Sequence, residues 1–452
     1  LIGYLLSLTL NPKFRPMKKL KLLLILPLLA WTFFLDAKAL TVGTETESVA
    51  PFAGEYKLVV EGFDWGPAVN KVVLSLGETV TSADASDFSI TATRKSDKGE
   101  IPAANASGAR SVVYSYVSDA NGARVESGDH VTLVLAVSPN QAIGSPIQYF
   151  PRLGNVWIDY KLQVTNTKTG KVWDTESGRI MPLVDKFDLT GKYKYNDNLT
   201  MAYASYSPDG LQEKAPLIIW LHGGGEGGTD PTIPLLGNRA ANYASDEIQM
   251  LFGEGAFVLV PQAPTFWMQG PDGMTRGQTN DIYNEGLMAL IKDYVASNPK
   301  IDASRIYVGG CSNGGYMSLK LILEHPDYFA AGYISALAYS NEFVSDAQIQ
   351  KIKNVPMWFV HSKDDNTTKS EETVVPLYER LKKAGAKDVI FSYYDHVTDI
   401  TGFYGGKDYR YPGHWSWIYS HANVARTDFD GSPVLLDGRP VSIMEWMAAQ
   451  KK

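Results

Sequence analysis

The chain has 452 residues, with 42 Lys and Arg against 49 Asp and Glu, a formal net charge of −7 and a single cysteine. That length is ample for two hydrophobic cores. The acidic balance gives no electrostatic reason to bind nucleic acid or anionic lipid, and one thiol excludes both an internal disulfide and a cysteine-built zinc site.

In chain order, the first pattern is "MKKLKLLLILPLLAWTFFLDAKA", which opens at Met17. Lys18, Lys19 and Lys21 make a positive start, Leu22 to Leu35 an apolar centre, and Ala37-Lys38-Ala39 a small-residue cleavage site. Residues 1–16 therefore read as translated upstream sequence and 17–39 as a secretory signal peptide cleaved near Ala39. The apolar run, about 14 residues, falls short of the roughly 20 that span a bilayer. The first 39 residues hold six basic and one acidic side chain, so their removal takes the formal charge from −7 to −12. The expectation is a secreted or periplasmic protein with no stable membrane insertion.

Residues 40–186 are expected to form an all-β domain. Candidate strands lie at 56–63, 71–76, 88–94, 111–117, 130–137 and 156–166, each alternating β-branched or aromatic residues with polar ones. Short strands at this spacing predict an antiparallel sandwich. Trp65, Trp157 and Trp173 are expected in its core rather than on its surface.

Residues 187–452 change rhythm. Short apolar runs at 217–221, 257–261, 305–310, 331–336, 357–362 and 389–394 read as parallel strands buried on both faces. Helical stripes intervene: one through Tyr283, Leu287, Leu290, Ile291 and Tyr294, one from Asn313 to Glu324, and one over 371–385. Alternating β and α predicts a doubly wound, mostly parallel sheet.

In such sheets function gathers at the carboxyl ends of strands. "VGGCSNGG" (308–315) places Gly310-x-Ser312-x-Gly314 between a buried strand and a helix, the context of a nucleophile elbow. "WLHGGGEGG" (220–228) follows another strand directly, and its glycines leave backbone N–H groups free to meet an oxyanion. The string His222-Gly223-Gly224-Gly225 has the form of an esterase oxyanion loop. Gly224, Gly225 and Asn313 are the candidate donors.

Ser312 needs a histidine base, and that base needs a carboxylate. Of seven histidines, His130 lies in the β half, His222 in the glycine loop, His325 at a helix end and His361 at a strand end. His396, His414 and His421 remain. His414, in the aromatic loop "YPGHWSWIYSHAN", is favoured over His396, and His421 is expected to be structural. "FVHSKDDNTT" (359–368) offers Asp364 or Asp365 as the acid; being adjacent, they project differently and only one can face His414. Trp267 and Trp415 are candidate walls of the acyl site. Cys311 is expected to be a buried, quiet thiol beneath the elbow. No metal and no organic cofactor is implied.

With these motifs in view, the second half resembles the α/β-hydrolase superfamily, in its prolyl-oligopeptidase-like and polyhydroxybutyrate-depolymerase-like esterase branch. "LHGGGEGG", "VLVPQAP", "GGCSNGG" and "GHWSWIY" together look like bacterial secreted carboxylesterases with an N-terminal immunoglobulin-like domain. The resemblance implies an immunoglobulin-like first domain, a triad of Ser312, His414 and Asp365, and hydrolysis of short-chain acyl, phenolic or polymer-linked esters. It selects Asp365 by counting four from His361; Ser362 stands where the family's motif has glycine. Rival readings are a prolyl-oligopeptidase-like serine peptidase, though the β half lacks a propeller repeat, and a non-catalytic surface or carbohydrate-binding protein. The sequence says nothing of oligomeric state.

Overall fold

The structure is a computed structural model that describes residues 53–452. The signal peptide expected at 17–39 lies outside the described residues. Pro51–Lys452 forms one compact unit with two eight-stranded sheets.

The first sheet runs, in spatial order, through Ser107–Ala109, Phe88–Lys95, Asp159–Asn166, Val172–Ile180, Ala53–Phe63, Gly66–Val80, Gly128–Leu135 and Val112–Ser118. Neighbours are antiparallel except Ala53–Phe63 with Val172–Ile180, which pair in parallel. Alternation turns Tyr160, Leu162 and Val164 of one strand inward, with the polar residues between them exposed. They share a core with Leu58, Val60, Val72 and Leu74 from the other half of the ladder, so the ladder folds over itself as a sandwich. Polar groups cross that core: the Leu162 N–H donates to Tyr56 Oη at 2.9 Å, and Arg110 donates to Tyr160 Oη at 2.6 Å and to the Val69 carbonyl at 2.8 Å. Trp173 is buried, and Trp65 and Trp157 pack against the core half-buried.

Five of the six expected strands in this half appear with longer or slightly shifted ends. The sixth, 156–166, is broken at Ile158 into Gly154–Trp157 and Asp159–Asn166. Val172–Ile180 leaves no mark in the sequence because "VWDTESGRI" has no apolar alternation; main-chain pairing to Ala53–Phe63 carries it instead.

The second sheet runs through Asp188–Asn196, Leu199–Tyr206, Phe257–Gln262, Ala215–Leu221, Ile301–Cys311, Ala331–Ser335, Met357–Ser362 and Val389–Tyr394. The first two are antiparallel to their neighbours and the remaining six are parallel. All six expected apolar runs are strands of this parallel part, and Ala215–Leu221 is buried at every position. Helices Asn284–Ser297, Asn313–Glu324 and Val374–Lys383 fall where the stripes placed them. The edge hairpin Asp188–Tyr206 is an addition to the expected elements, because its outer strand alternates half-exposed residues rather than presenting a continuous apolar run.

Register decides where function gathers. Leu221 pairs with Gly310, Cys311 with Ser335, and Ser335 with Val360. The glycine loop, Ser312 and the loop after Ser362 therefore leave the sheet along one edge. Among the described residues no helix is long and apolar enough to cross a membrane.

Candidate active site

Ser312 sits between its strand and the Asn313–Glu324 helix with φ 54° and ψ −111°. A non-glycine residue at positive φ costs about 1–3 kcal/mol and persists only when its surroundings hold it there. Here the Ser312 N–H donates to the Ser335 carbonyl at 3.0 Å, and its carbonyl accepts from the Tyr316 N–H at 2.9 Å. The flanking glycines are sterically required. A Cβ on Gly310 would lie 2.5 Å from the Leu221 oxygen and 2.6 Å from Gly314, and one on Gly314 would overlap the Leu221 carbonyl outright. The elbow is thus pressed against the strand that launches the glycine loop.

That loop is braced from beneath. His222 is fully buried; its Nδ1–H donates to the Gly223 carbonyl at 2.6 Å, and its Nε2 accepts from the Ala263 N–H at 3.0 Å. Burial pushes its pKa down to about 4, so it is a neutral strut. The Gly223 N–H donates to Asn238 Oδ1 at 3.0 Å. Gly224 meets the elbow: a Cβ there would lie 3.5 Å from Asn313 Nδ2. Asn313 opens its helix, where main-chain N–H groups lack intrahelical partners, and its side-chain oxygen accepts from the Met268 N–H at 2.9 Å.

Gly225 carries a contact the sequence does not announce: its carbonyl accepts from the Asn155 N–H at 2.6 Å, which ties the loop beside the candidate donors Gly224, Gly225 and Asn313. Trp267 is corrected. It is fully buried, its ring 5.1 Å from that of His222, and it packs behind the glycine loop where no substrate reaches. Trp415 is half-buried beside His414, 5.9 Å from the Tyr411 ring and 6.3 Å from that of Trp417.

In the loop after the last strand of the second sheet, His414 Nδ1 lies 2.9 Å from Asp365 Oδ2. That carboxylate is saturated with donors. Oδ1 accepts from the N–H groups of Thr367 and Thr368 at 2.8 and 3.0 Å, and Oδ2 accepts from Thr368 Oγ1 at 2.7 Å, with His361 Nε2 at 3.1 Å. Burial works against its ionisation, but the bonds from His361, His414 and Thr368 outweigh it and hold the carboxyl well below the usual range. An ionised acceptor at that position fixes the proton of His414 on Nδ1 and leaves Nε2 as the basic nitrogen.

The two rivals pair with each other. His396 Nδ1 lies 2.8 Å from Asp364 Oδ2, a separate and half-exposed couple. Ser362, which replaces a glycine of the resembling motif, has its Oγ 2.8 Å from Asp364 Oδ1 and 2.7 Å from the Gly413 carbonyl. Its hydroxyl ties the acid loop to the histidine loop. His421 is buried edge-on against Trp220, ring centroids 4.4 Å apart, and burial drives its pKa down to about 3. Among the described residues, no group of three or more His, Cys, Asp or Glu is arranged to hold a metal ion.

The sequence profile of the esterase Ig-like N-terminal domain matches residues 55–178, and that of the prolyl oligopeptidase family matches residues 276–348. A solved structure described as a thermostable esterase superposes with a TM-score of 0.69 at 21% identity, covering 88% of this chain and 99% of that one. The chain has the α/β-hydrolase fold, and its first part matches the esterase immunoglobulin-like domain. Among curated proteins, the chain is similar to feruloyl esterase B of Thermothelomyces thermophilus, 31% identical over 147 residues. It is also similar to feruloyl esterase B of Neurospora crassa, 33% identical over 129 residues. These alignments take in 31% and 28% of the chain, which spans 46% and 41% of those relatives.

Cys311 is buried beneath the elbow, and burial raises its thiol pKa far above the ordinary value, with the Glu226 carboxylate adding to the effect. A protonated, sequestered thiol is not a nucleophile. Cys311→Ala is expected to keep kcat within about threefold of wild type and to cost about 1 kcal/mol of stability. Ester kinetics beside a thermal melt check this; a loss comparable to that of Ser312→Ala would refute it.

Proposed function

We propose that the protein is an exported serine carboxylesterase that hydrolyses carboxylic esters through an acyl-enzyme. The observations that carry this reading are a strained elbow serine and, after another strand of the same sheet edge, a carboxylate rich in donors that holds the Nδ1 of His414. In the first step His414 Nε2 takes the Ser312 proton as Oγ attacks the carbonyl carbon. The oxyanion rests on the N–H groups of Gly224 and Asn313. The C–O bond to the alcohol then breaks, and the imidazolium returns its proton to the leaving alkoxide. Water, deprotonated by the same nitrogen, repeats the sequence on the acyl-enzyme and frees the acid. Asp365 keeps the tautomer and offsets the imidazolium charge.

The names of the relatives support phenolic, hydroxycinnamoyl-type esters as a substrate class beside short acyl chains. The prolyl oligopeptidase match keeps peptide amides as the comparison. A panel of p-nitrophenyl acetate and butyrate, methyl ferulate and a dipeptidyl p-nitroanilide tests the assignment. Ester kcat/KM is expected to exceed amide kcat/KM by at least about 100-fold. Equal or faster amide cleavage would make the protein a peptidase, and no turnover of either would point to a non-catalytic role. The predicted signal peptide and the acidic mature chain support export and a small or polymer-linked ester as partner, with no nucleic acid.

A further inference from the structure

A loop of glycines presents N–H groups cheaply but does not hold them still, and an oxyanion hole requires donors fixed to within about half an ångström. In this protein the fixing comes from a two-stranded hairpin that lies outside both eight-stranded sheets. The hairpin Ile147–Phe150 and Gly154–Trp157 projects from the immunoglobulin-like part onto the glycine loop. Its Asn155 makes two bonds there. The main-chain N–H donates to the Gly225 carbonyl at 2.6 Å, and Nδ2 donates to Glu226 Oε1 at 2.7 Å. Gly154, at φ 80°, abuts the same Gly225 carbonyl so closely that no side chain fits. Trp157 Nε1 adds a bond to Thr232 Oγ1 at 2.9 Å.

Glu226 is the other half of the clamp. It is 5% exposed; its Oε1 accepts from Asn155 Nδ2 at 2.7 Å, and its Oε2 lies against Gly223, where an added Cβ would come within 2.9 Å. Gln262 Nε2 holds its carbonyl at 2.9 Å. A buried carboxylate is tolerated only when such donors surround it. Burial raises its pKa to about 7 despite these bonds, so each donor that remains matters to its charge. Gly224, the proposed oxyanion donor, lies between Gly223, which abuts the Glu226 carboxylate, and Gly225, whose carbonyl Asn155 holds.

We propose that Asn155 and Glu226 form a positioning pair for the oxyanion loop, which makes the immunoglobulin-like domain part of the catalytic apparatus. This rests on the esterase reading above. The pair touches no reacting atom; it acts through Gly223 and Gly225 on the Gly224 N–H. Its removal should therefore lower kcat and leave ground-state binding of the ester nearly unchanged.

The test is a four-member cycle in the full chain: wild type, N155D, E226Q and N155D/E226Q, assayed with p-nitrophenyl butyrate beside thermal melts. N155D sets two carboxylates against each other, and E226Q removes the negative charge and one acceptor oxygen and sets an amide against the Asn155 amide. Each single change is expected to lower kcat by about 30-fold or more, with KM within about threefold. The double variant restores a bond of reversed polarity, from the amide introduced at position 226 to the carboxylate introduced at position 155. It is expected to recover to within about fivefold of wild type. Singles that keep wild-type kcat, or a double variant as slow as the product of the singles, would overturn the proposal. Should N155D be insoluble, Asn155→Ala keeps the main-chain bond and loses only the side-chain donor; it should cost about tenfold in kcat, and an unchanged kcat refutes the pair. If Ser312→Ala retains activity, the esterase reading itself fails, a result separable from any outcome of the cycle.

Discussion

Ser312→Ala is expected to lower kcat for p-nitrophenyl butyrate by about 10⁵- to 10⁶-fold, with the thermal midpoint shifted by only a few degrees. The size follows from the chemistry: without Oγ no acyl-enzyme forms, and only the oxyanion donors and substrate binding remain to assist water. The fold should not suffer. Alanine leaves in place the main-chain bonds of position 312 to Ser335 and Tyr316, and it has the same Cβ at the same positive φ. Activity above about one part in a hundred would show that another group supplies the nucleophile.

Asp365→Asn is expected to cost about 10⁴-fold in kcat, whereas Asp364→Asn should cost less than about tenfold. An amide at 365 presents either an N–H to His414 Nδ1, which selects the wrong tautomer, or a weaker neutral acceptor. It must also satisfy the donors of Thr367 and Thr368 that the carboxylate now accepts. Asp364 faces His396 and Ser362 on the half-exposed side of the same turn, so its loss loosens the histidine loop without touching the imidazole proton. Because hydrogen bonds hold the Asp365 carboxyl well below the ordinary range, it stays ionised throughout the interval in which histidine titrates. The acid limb of kcat/KM is therefore not set by Asp365. A pair of kcat values, one per variant, decides it: equal losses, or a larger loss for Asp364→Asn, would reassign the acid.

Much of this was legible in the residues, for a physical reason. An elbow tolerates only glycine where Gly310 and Gly314 meet Leu221, and parallel strands buried on both faces are apolar without interruption, so both leave marks that do not depend on distant contacts. What depends on distant contacts was not legible. Asp364 and Asp365 differ by one step along the chain; a motif count favours Asp365, but that it meets His414 while Asp364 meets His396 is written in the fold alone. Trp267 reads as an aromatic near two motifs whether it faces substrate or, as here, the back of His222. Gly225 looks identical to Gly224 until Asn155 claims its carbonyl. Asn155 itself, 71 residues before Glu226 and on another sheet, carries no local signal of its role.

The lone thiol has a use that the chemistry of the site does not give it. Cys311 is the only cysteine of the sequence, it is wholly buried, and its main chain continues directly into Ser312. Any reagent that alkylates it must wait for the elbow and the glycine loop to part. The rate of labelling under native conditions is therefore a clock for local opening at that spot, read from a single atom without engineering. The protein carries, next to its proposed nucleophile, its own gauge of how rigidly that nucleophile is held.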